Sequence, residues 1–183
     1  MRYAPLAFLR RRLLLPVLAL GGLLLLGGCA RFTSWFHYVR GTRYLIDNKY
    51  EEADKELREA IRVNPGFVEA HEWLAHSLFF QLKYGEAEKE YREVDRLKPN
   101  DDDTHLSLAV MLEAQGKYEE AERELKEVIR LAPNSGKGYW GLGFSLDRRA
   151  RRKEARPFWE SALKTEKDPA LLKYIKKRLA EPD

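Results

Sequence analysis

The chain has 183 residues, of which 44% are hydrophobic and 34% are charged, so it fits one small domain with a short additional segment. The formal net charge is +4, but four arginines within residues 1–12 account for this excess, and residues 29–183 hold 29 basic and 29 acidic side chains. The charge therefore gives no reason to expect nucleic-acid binding.

The N-terminal segment has the pattern of a secretory signal peptide. Arg2 and residues 10–12 (RRR) precede an uninterrupted apolar run over residues 13–28. The run contains Pro16 and Gly21-Gly22, and it is shorter than the roughly 20 residues that a membrane-spanning helix needs. This pattern predicts a segment that is removed rather than one that stays in the membrane.

The only cysteine, Cys29, ends the apolar run in the sequence Leu26-Gly27-Gly28-Cys29. This tetrapeptide resembles the bacterial lipobox. The resemblance implies that residues 1–28 are a lipoprotein signal peptide, that cleavage occurs before Cys29, and that Cys29 carries a covalent lipid. Ordinary signal cleavage and an uncleaved anchor remain the alternatives. A single cysteine excludes an intramolecular disulfide.

Residues 29–33 are predicted to form a short tether, because the first helix is expected to begin with an N-cap at Thr33 or Ser34. Such a tether reaches at most about 14 Å, which keeps the folded part close to the bilayer. An aromatic cluster follows, and its rings either lie at the lipid headgroups or belong to the core of the first helix. The cluster comprises Phe32, Trp35, Phe36 and Tyr38.

A period of 34 residues runs through the rest of the chain. Pro65, Pro99 and Pro133 keep this interval, and so do three tyrosines, four alanines and four large residues. The last three sets are Tyr50, Tyr84 and Tyr118; Ala53, Ala87, Ala121 and Ala155; and Leu57, Tyr91, Leu125 and Trp159. Apolar residues at i, i+4, i+7 and i+8 within a repeat predict amphipathic helices, which the prolines end.

This pattern resembles the tetratricopeptide repeat (TPR). The resemblance implies an all-α fold, a TPR α-solenoid in which helix-turn-helix hairpins form a right-handed superhelix. The four repeats are predicted at residues 34–67, 68–101, 102–135 and 136–169. The sequence departs from the family where Trp is usual, and has instead His37, His71, His105 and Tyr139.

Residues 170–183 are predicted to form a capping helix and tail. Leu171, Ile175 and Leu179 would give this helix one apolar face, as a terminal cap requires. Residues 148–178 contain 12 basic and 4 acidic side chains, including Lys173, Lys176, Lys177 and Arg178. This basic end is expected to contact anionic lipid, an acidic partner or cell-wall polymer, or else to be a solvated cap.

No residue pattern indicates catalysis, so we expect a protein that is not an enzyme. His37, His71 and His105 occupy the same position in three successive repeats, which we call the repeat slot. They would lie roughly 10 Å apart, too far to bind one metal ion, and we expect them to pack between helices. We predict no metal and no cofactor other than the lipid on Cys29. Carboxylates such as Glu88, four residues before Arg92, are expected to form solvated ion pairs.

The resemblance places a protein-binding groove on the first helix of each repeat. Aromatic and apolar side chains at these slots are typical of binding hot spots, although some of them could instead cover the next helix. Tyr38 and Thr42 replace the basic and amide residues that grip acidic chain ends, which favours an apolar or mixed peptide or helix. The predicted groove residues are Tyr38, Thr42, Glu72, His76, Phe79, Leu106, Val110, Glu113, Trp140, Phe144 and Asp147.

Taken together, these features predict a non-enzymatic, membrane-anchored scaffold or adaptor for protein interactions. By resemblance it would assist a pilus or secretin, outer-membrane protein assembly or the recruitment of cell-wall hydrolases. Ala30, which is not the Asp of inner-membrane retention, favours the outer membrane facing the periplasm, with the inner membrane as the alternative. The alternative function is a passive envelope-spacing or wall-contacting lipoprotein that uses its basic C-terminal end.

Overall fold

A computed structural model describes residues 30–181, and this part of the chain is helical, with no strand. The predicted signal peptide and Cys29 lie outside the described residues. The helices are α1 (30–46), α2 (Tyr50–Val63), α3 (Val68–Phe80), α4 (Tyr84–Leu97), α5 (Asp102–Ala114), α6 (Tyr118–Leu131), α7 (Gly136–Arg148), α8 (Arg152–Thr165) and α9 (Pro169–Ala180).

The described residues fall into two compact units, which divide between Ala70 and His71. In the first unit, α1 and α2 approach closely at Gly41, where an added Cβ would lie 2.7 Å from Leu57 Cγ. Leu57 and Ala60 are completely buried. The predicted N-cap at Thr33 or Ser34 is wrong, because α1 is already helical at residue 30. Ser34 is instead buried, and its Oγ donates a hydrogen bond to the Ala60 carbonyl oxygen at 2.9 Å.

The core of the second unit is built by the same repeat positions. Small residues on one helix allow the large apolar residues of the next to pack closely. Gly143, for example, lies against Trp159, whose ring carbon Cδ2 would be 2.9 Å from an added Cβ. The buried cluster of α5 to α9 contains Ala109, Leu112, Ala121, Leu125, Leu142, Leu146, Ala155, Trp159, Ala162 and Ile175.

Two residues after the end of the first helix of each hairpin, the chain has a residue in the left-handed conformation. These residues are Asn48, Leu82, Gly116 and Ala150, with φ between 56° and 75°. Each is followed by a residue whose N–H bonds back to a carbonyl five residues earlier, as in a Schellman motif. Glycine adopts this conformation without strain, whereas leucine and alanine do not. The tight turn therefore carries a conformational cost in two of the four hairpins.

The last helix, α9, closes the second unit. The Asp168 carboxylate caps its start and accepts hydrogen bonds from the N–H groups of Ala170 and Leu171 at 2.7 and 3.2 Å. Ile175 is completely buried, and Arg178 Nη2 lies 2.6 Å from Asp147 Oδ2 on α7. This helix serves as the predicted C-terminal cap, because it covers the last hairpin with one apolar face and one partly buried ion pair.

Candidate protein-binding pocket

Six of the predicted groove residues converge on one pocket in the second unit. The pocket has a volume of about 410 Å³ and lies between residues of α3, α5 and α7, the first helices of three successive hairpins. Leu106, Val110 and Glu113 follow one face of α5, at i, i+4 and i+7. The six predicted residues are Phe79, Leu106, Val110, Glu113, Trp140 and Phe144.

The pocket is mainly apolar and has an aromatic wall. The rings of Trp140 and Phe144 stack with centroids 5.2 Å apart and planes 9° from parallel. Phe79 packs against Tyr84, with ring centroids 5.5 Å apart. Gly141 allows Leu125 to approach, since an added Cβ would lie 2.6 Å from Leu125 Cδ2. Rigid aromatic walls around an open apolar floor suit the insertion of a large apolar side chain.

Two polar atoms of the pocket residues have no hydrogen-bond partner in the part of the chain that the structure describes. They are Glu113 Oε1 and Trp140 Nε1, and both are buried. The other oxygen of Glu113 has only a long contact, 3.4 Å from Arg148 Nη1. A buried donor or acceptor without a partner costs about 1–3 kcal/mol. The pocket walls therefore contain an unsatisfied donor and an unsatisfied acceptor.

The sequence did not identify Arg148 or Tyr84 as pocket residues, although both line it. Arg148 follows Phe144 by one helical turn, and its guanidinium carbon lies 5.7 Å from the centre of the Phe144 ring. This spacing was a usable signal. Tyr84 begins α4 and repeats every 34 residues, which made it look purely structural.

Three other predicted groove residues of the second unit do not line this pocket. His76 Nε2 lies 3.1 Å from Tyr91 Oη, and desolvation lowers the pKa of the imidazole, which favours its neutral form. Glu72 is half-buried. Asp147 pairs with Arg178, and its side chain is only 7% exposed, so it holds α9 instead of facing a ligand.

The two remaining groove residues belong to the first unit. The ring of Tyr38 lies 4.9 Å from that of Phe67, centroid to centroid. Thr42 Oγ1 donates a hydrogen bond to the carbonyl oxygen of Val39 at 3.0 Å, within its own helix. Both side chains are therefore engaged in contacts within the first unit.

The histidines of the repeat slot share one interaction. His37, His71 and His105 each place Nδ1 2.7 Å from a glutamate Oε2 on the second helix of the same hairpin. The glutamates are Glu56, Glu90 and Glu124. Among residues 30–181 there is no group of three or more potential ligands that could hold a metal ion. The slot therefore ties the two helices of each of these hairpins together.

The basic end is only partly available for contacts. Lys173, Lys176 and Lys177 are exposed on α9. Arg178 is bound to Asp147 and Glu181, and Arg152 donates to the Arg178 carbonyl oxygen. No helix within the described residues has the length and apolar character needed to cross a membrane.

Comparison with known proteins identifies the repeat. Residues 38–102 and 81–143 match two tetratricopeptide-repeat family models. The structure of MamA is similar with a TM-score of 0.67 and 17% identity, covering 72% of this chain and 77% of MamA. PilF of Pseudomonas aeruginosa gives a TM-score of 0.66 and 22% identity, covering 82% of this chain and 68% of PilF.

A third similar structure is the first TPR domain of Spaghetti bound to the HSP90 peptide SRMEEVD. Its TM-score is 0.60 at 20% identity, covering 66% of this chain and 95% of that domain. The search of curated proteins gives no match. The predicted all-α fold of tetratricopeptide repeats with a C-terminal capping helix is confirmed. The chain therefore belongs to the tetratricopeptide-repeat proteins.

Proposed function

We propose that this protein is a non-enzymatic, membrane-anchored scaffold that binds a segment of a partner protein in the pocket of α3, α5 and α7. The observation that carries the proposal is the combination, in one pocket, of a stacked aromatic wall with an unpaired donor on Trp140 and an unpaired acceptor on Glu113. A peptide is the ligand class that meets both requirements.

A peptide main chain offers an N–H donor and a C=O acceptor in each residue. A ligand main chain that reached Trp140 Nε1 and Glu113 Oε1 would remove the cost of leaving these two buried atoms unpaired. An apolar side chain of the same segment would enter the cavity of about 410 Å³. The TPR domain of Spaghetti holds a peptide, which supports a peptide ligand for this chain as well.

The pocket lining carries one charge of each sign, Glu113 and Arg148, which favours a neutral apolar or mixed segment over a strongly charged one. Glu113 is the acidic residue of the lining, and its side chain is 15% exposed. A carboxylate of the ligand placed beside it would be repelled, while Arg148 would repel a cationic ligand. A neutral apolar segment whose main-chain N–H and C=O groups are unpaired avoids both repulsions.

The anchor belongs to the same proposal. The lipobox-like Leu26-Gly27-Gly28-Cys29 supports lipidation of Cys29, and Ala30 supports the periplasmic face of the outer membrane. The partner would then be a component of an envelope machine, such as a pilus or secretin, an outer-membrane assembly complex or a cell-wall hydrolase. Mass spectrometry of the membrane-derived protein tests this part. A lipidated Cys29 as the first residue is expected, and an unmodified N-terminus would contradict it.

The binding proposal is tested by capture of the partner from envelope extracts of the host. Val110 is 45% exposed and lines the pocket, so Val110→Glu adds a charge there without removing a core residue. We expect at least about a 30-fold loss of partner capture, as for a hot-spot residue. The matched control is Lys126→Glu, at an exposed position of α6 that does not line the pocket.

Equal capture by the wild type and both variants would contradict binding in the pocket. The passive alternative makes a different prediction. It expects loss of wall or partner contact only when the charges of Lys173, Lys176 and Lys177 are reversed.

A further inference from the structure

Helix α1 carries an apolar stripe on the side opposite to the one that packs on α2. The stripe residues occupy positions i, i+3, i+4, i+7 and i+14, which lie on one face of a helix. Ser34 and Gly41, on the opposite face, are buried. The stripe comprises Phe32 (66% exposed), Trp35 (53%), Phe36 (48%), Val39 (39%) and Ile46 (80%).

The concentration of exposed apolar side chains on this one helix is unusual. Five of the ten large apolar side chains that are exposed within residues 30–181 lie on α1. Single exposed apolar residues are normal on a protein surface, whereas a contiguous stripe marks an interaction surface. Phe32, Trp35 and Phe36 were open to two interpretations in the sequence. Their exposure excludes the interpretation that they form the core of the first helix.

The charge of α1 complements an anionic surface. Residues 30–46 contain Arg31, Arg40 and Arg43 and no acidic residue. Arg43 lies on the apolar face itself, four residues after Val39. The guanidinium carbon of Arg40 lies 5.7 Å from the centre of the Phe36 ring, so it borders the stripe. Aromatic rings interleaved with arginines are typical of helices that lie in the headgroup region of a bilayer.

The position of α1 in the chain also favours contact with a bilayer. The helix is already formed at residue 30, one residue after Cys29, and the apolar run of residues 13–28 ends immediately before it. A lipid on Cys29 or a retained anchor would each hold the start of α1 at the membrane. Because residues 30–33 are helical, they do not form the flexible tether that the sequence predicted, and the stripe begins close to Cys29.

We propose that the stripe of α1 lies on the bilayer surface, with its aromatic rings at the headgroups and with Arg31 and Arg43 on anionic lipid phosphates, while Arg40 stays paired with Glu56 of α2. This inference rests on the membrane anchoring in the proposed function and adds a second, peripheral contact to it. The anchor alone keeps the chain on the membrane, and the stripe would fix how α1 lies on the bilayer surface. The contact also holds the first unit against the membrane instead of leaving it on a free tether.

The test uses the full-length chain, purified from the host and reconstituted in vesicles of phosphatidylethanolamine with a minority of phosphatidylglycerol. Because Cys29 is the only cysteine, a cysteine introduced by Val39→Cys takes up a polarity-sensitive fluorophore once Cys29 is lipidated. The control site is Lys55→Cys, at an exposed position of α2. Vesicle flotation and quenching by lipids with a nitroxide near the headgroup are measured on the same samples.

We expect emission from position 39 to be blue-shifted and quenched several-fold more strongly than emission from position 55. The double substitution Trp35→Glu with Phe36→Glu should remove this difference while flotation persists, since the anchor is unchanged. Flotation with equal, weak quenching at both sites would overturn the inference and leave the anchoring intact. Loss of flotation of the labelled Lys55→Cys chain would overturn both. Quenching that disappears on adding unlabelled chain would overturn the inference in favour of self-association.

Discussion

Replacement of Glu88 by glutamine tests how the repeats are joined. Glu88 is only 8% exposed. One carboxylate oxygen accepts hydrogen bonds from Lys117 Nζ and Gln115 Nε2, both at 2.8 Å, and the other accepts one from Arg92 Nε at 2.9 Å. The carboxylate thereby links α4 to the end of the following hairpin's first helix. The predicted pair with Arg92 is present, but the prediction that Glu88 is solvated is wrong, because residues of the next repeat cover it.

The magnitude follows from the pKa of Glu88. Burial alone would raise this pKa, but the hydrogen bonds from Lys117, Gln115 and Arg92 outweigh burial and lower it from 4.5 to about 2. A shift of this size corresponds to roughly 3 kcal/mol at most. The side chains of Lys117 and Arg92 are 41% and 48% exposed. Solvent screening therefore reduces the expected contribution to about 1 kcal/mol.

The sign of the pH dependence is fixed by the lowered pKa. The folded state holds Glu88 ionised at pH values where the unfolded chain takes up a proton, so the stabilisation is complete above pH 4.5 and is lost as the pH falls towards about 2. Glu88→Gln should cost about 1 kcal/mol of unfolding free energy at neutral pH, and the difference from the wild type should shrink towards about pH 3. Urea unfolding followed by circular dichroism measures both.

Glu93→Gln on the same helix is the matched control. Glu93 pairs with Arg96, whose side chain is 65% exposed, and we expect a change below about 0.5 kcal/mol. A Glu88→Gln effect that stays constant from neutral to acidic pH would refute the assignment of the stabilisation to the ionised carboxylate. An effect no larger than that of Glu93→Gln would do so as well.

Two further predictions concern stability and are read from the same unfolding curves. Leu82→Gly should stabilise the protein by about 0.5–1 kcal/mol, because Leu82 is in the left-handed conformation at φ 62°. Gly116→Ala at the equivalent turn should destabilise it by a similar amount. Changes of the opposite sign would contradict the turn geometry. Arg178→Ala should cost about 2 kcal/mol by leaving Asp147 unpaired, while Lys176→Ala on the exposed side of α9 should be nearly neutral. Equal effects of Arg178→Ala and Lys176→Ala would show that the ion pair does not stabilise the packing of α9.

Most of the fold could be predicted from the 34-residue period, because that period fixes which residues face the core. The hairpin turns illustrate the limit of this reasoning. Gly116 signals a left-handed residue, but Leu82 and Ala150 occupy the same conformation without any local preference for it. There the backbone bonds of the turn and the packing of the helices outweigh the residue's own preference.

The candidate site was predicted in part for the same reason. The period placed Leu106, Val110 and Trp140 on equivalent faces of successive helices, and these residues do line one pocket. Asp147 occupies an equivalent position, yet its carboxylate accepts a hydrogen bond from Arg178 of the capping helix, 31 residues later in the chain. Periodicity cannot anticipate a contact from a helix outside the repeat.

The histidine–glutamate pairs could have been predicted from the sequence but were not. Glu56, Glu90 and Glu124 recur with the same 34-residue interval as the histidines that they bind. A search for charged partners with the repeat's own period would have found these pairs. The start of α1 was missed for a different reason, since Ser34 resembles an N-cap but is used as a buried donor to α2.

Photo-crosslinking in the native host shows directly whether the pocket binds a protein, using a probe at Val110, which lines the pocket and is 45% exposed. A second probe at Lys126, exposed on α6 away from the pocket lining, is the control. We expect one dominant envelope protein to be captured from Val110 and not from Lys126. Capture of no protein from Val110, or equal capture from both positions, would contradict a protein-binding pocket.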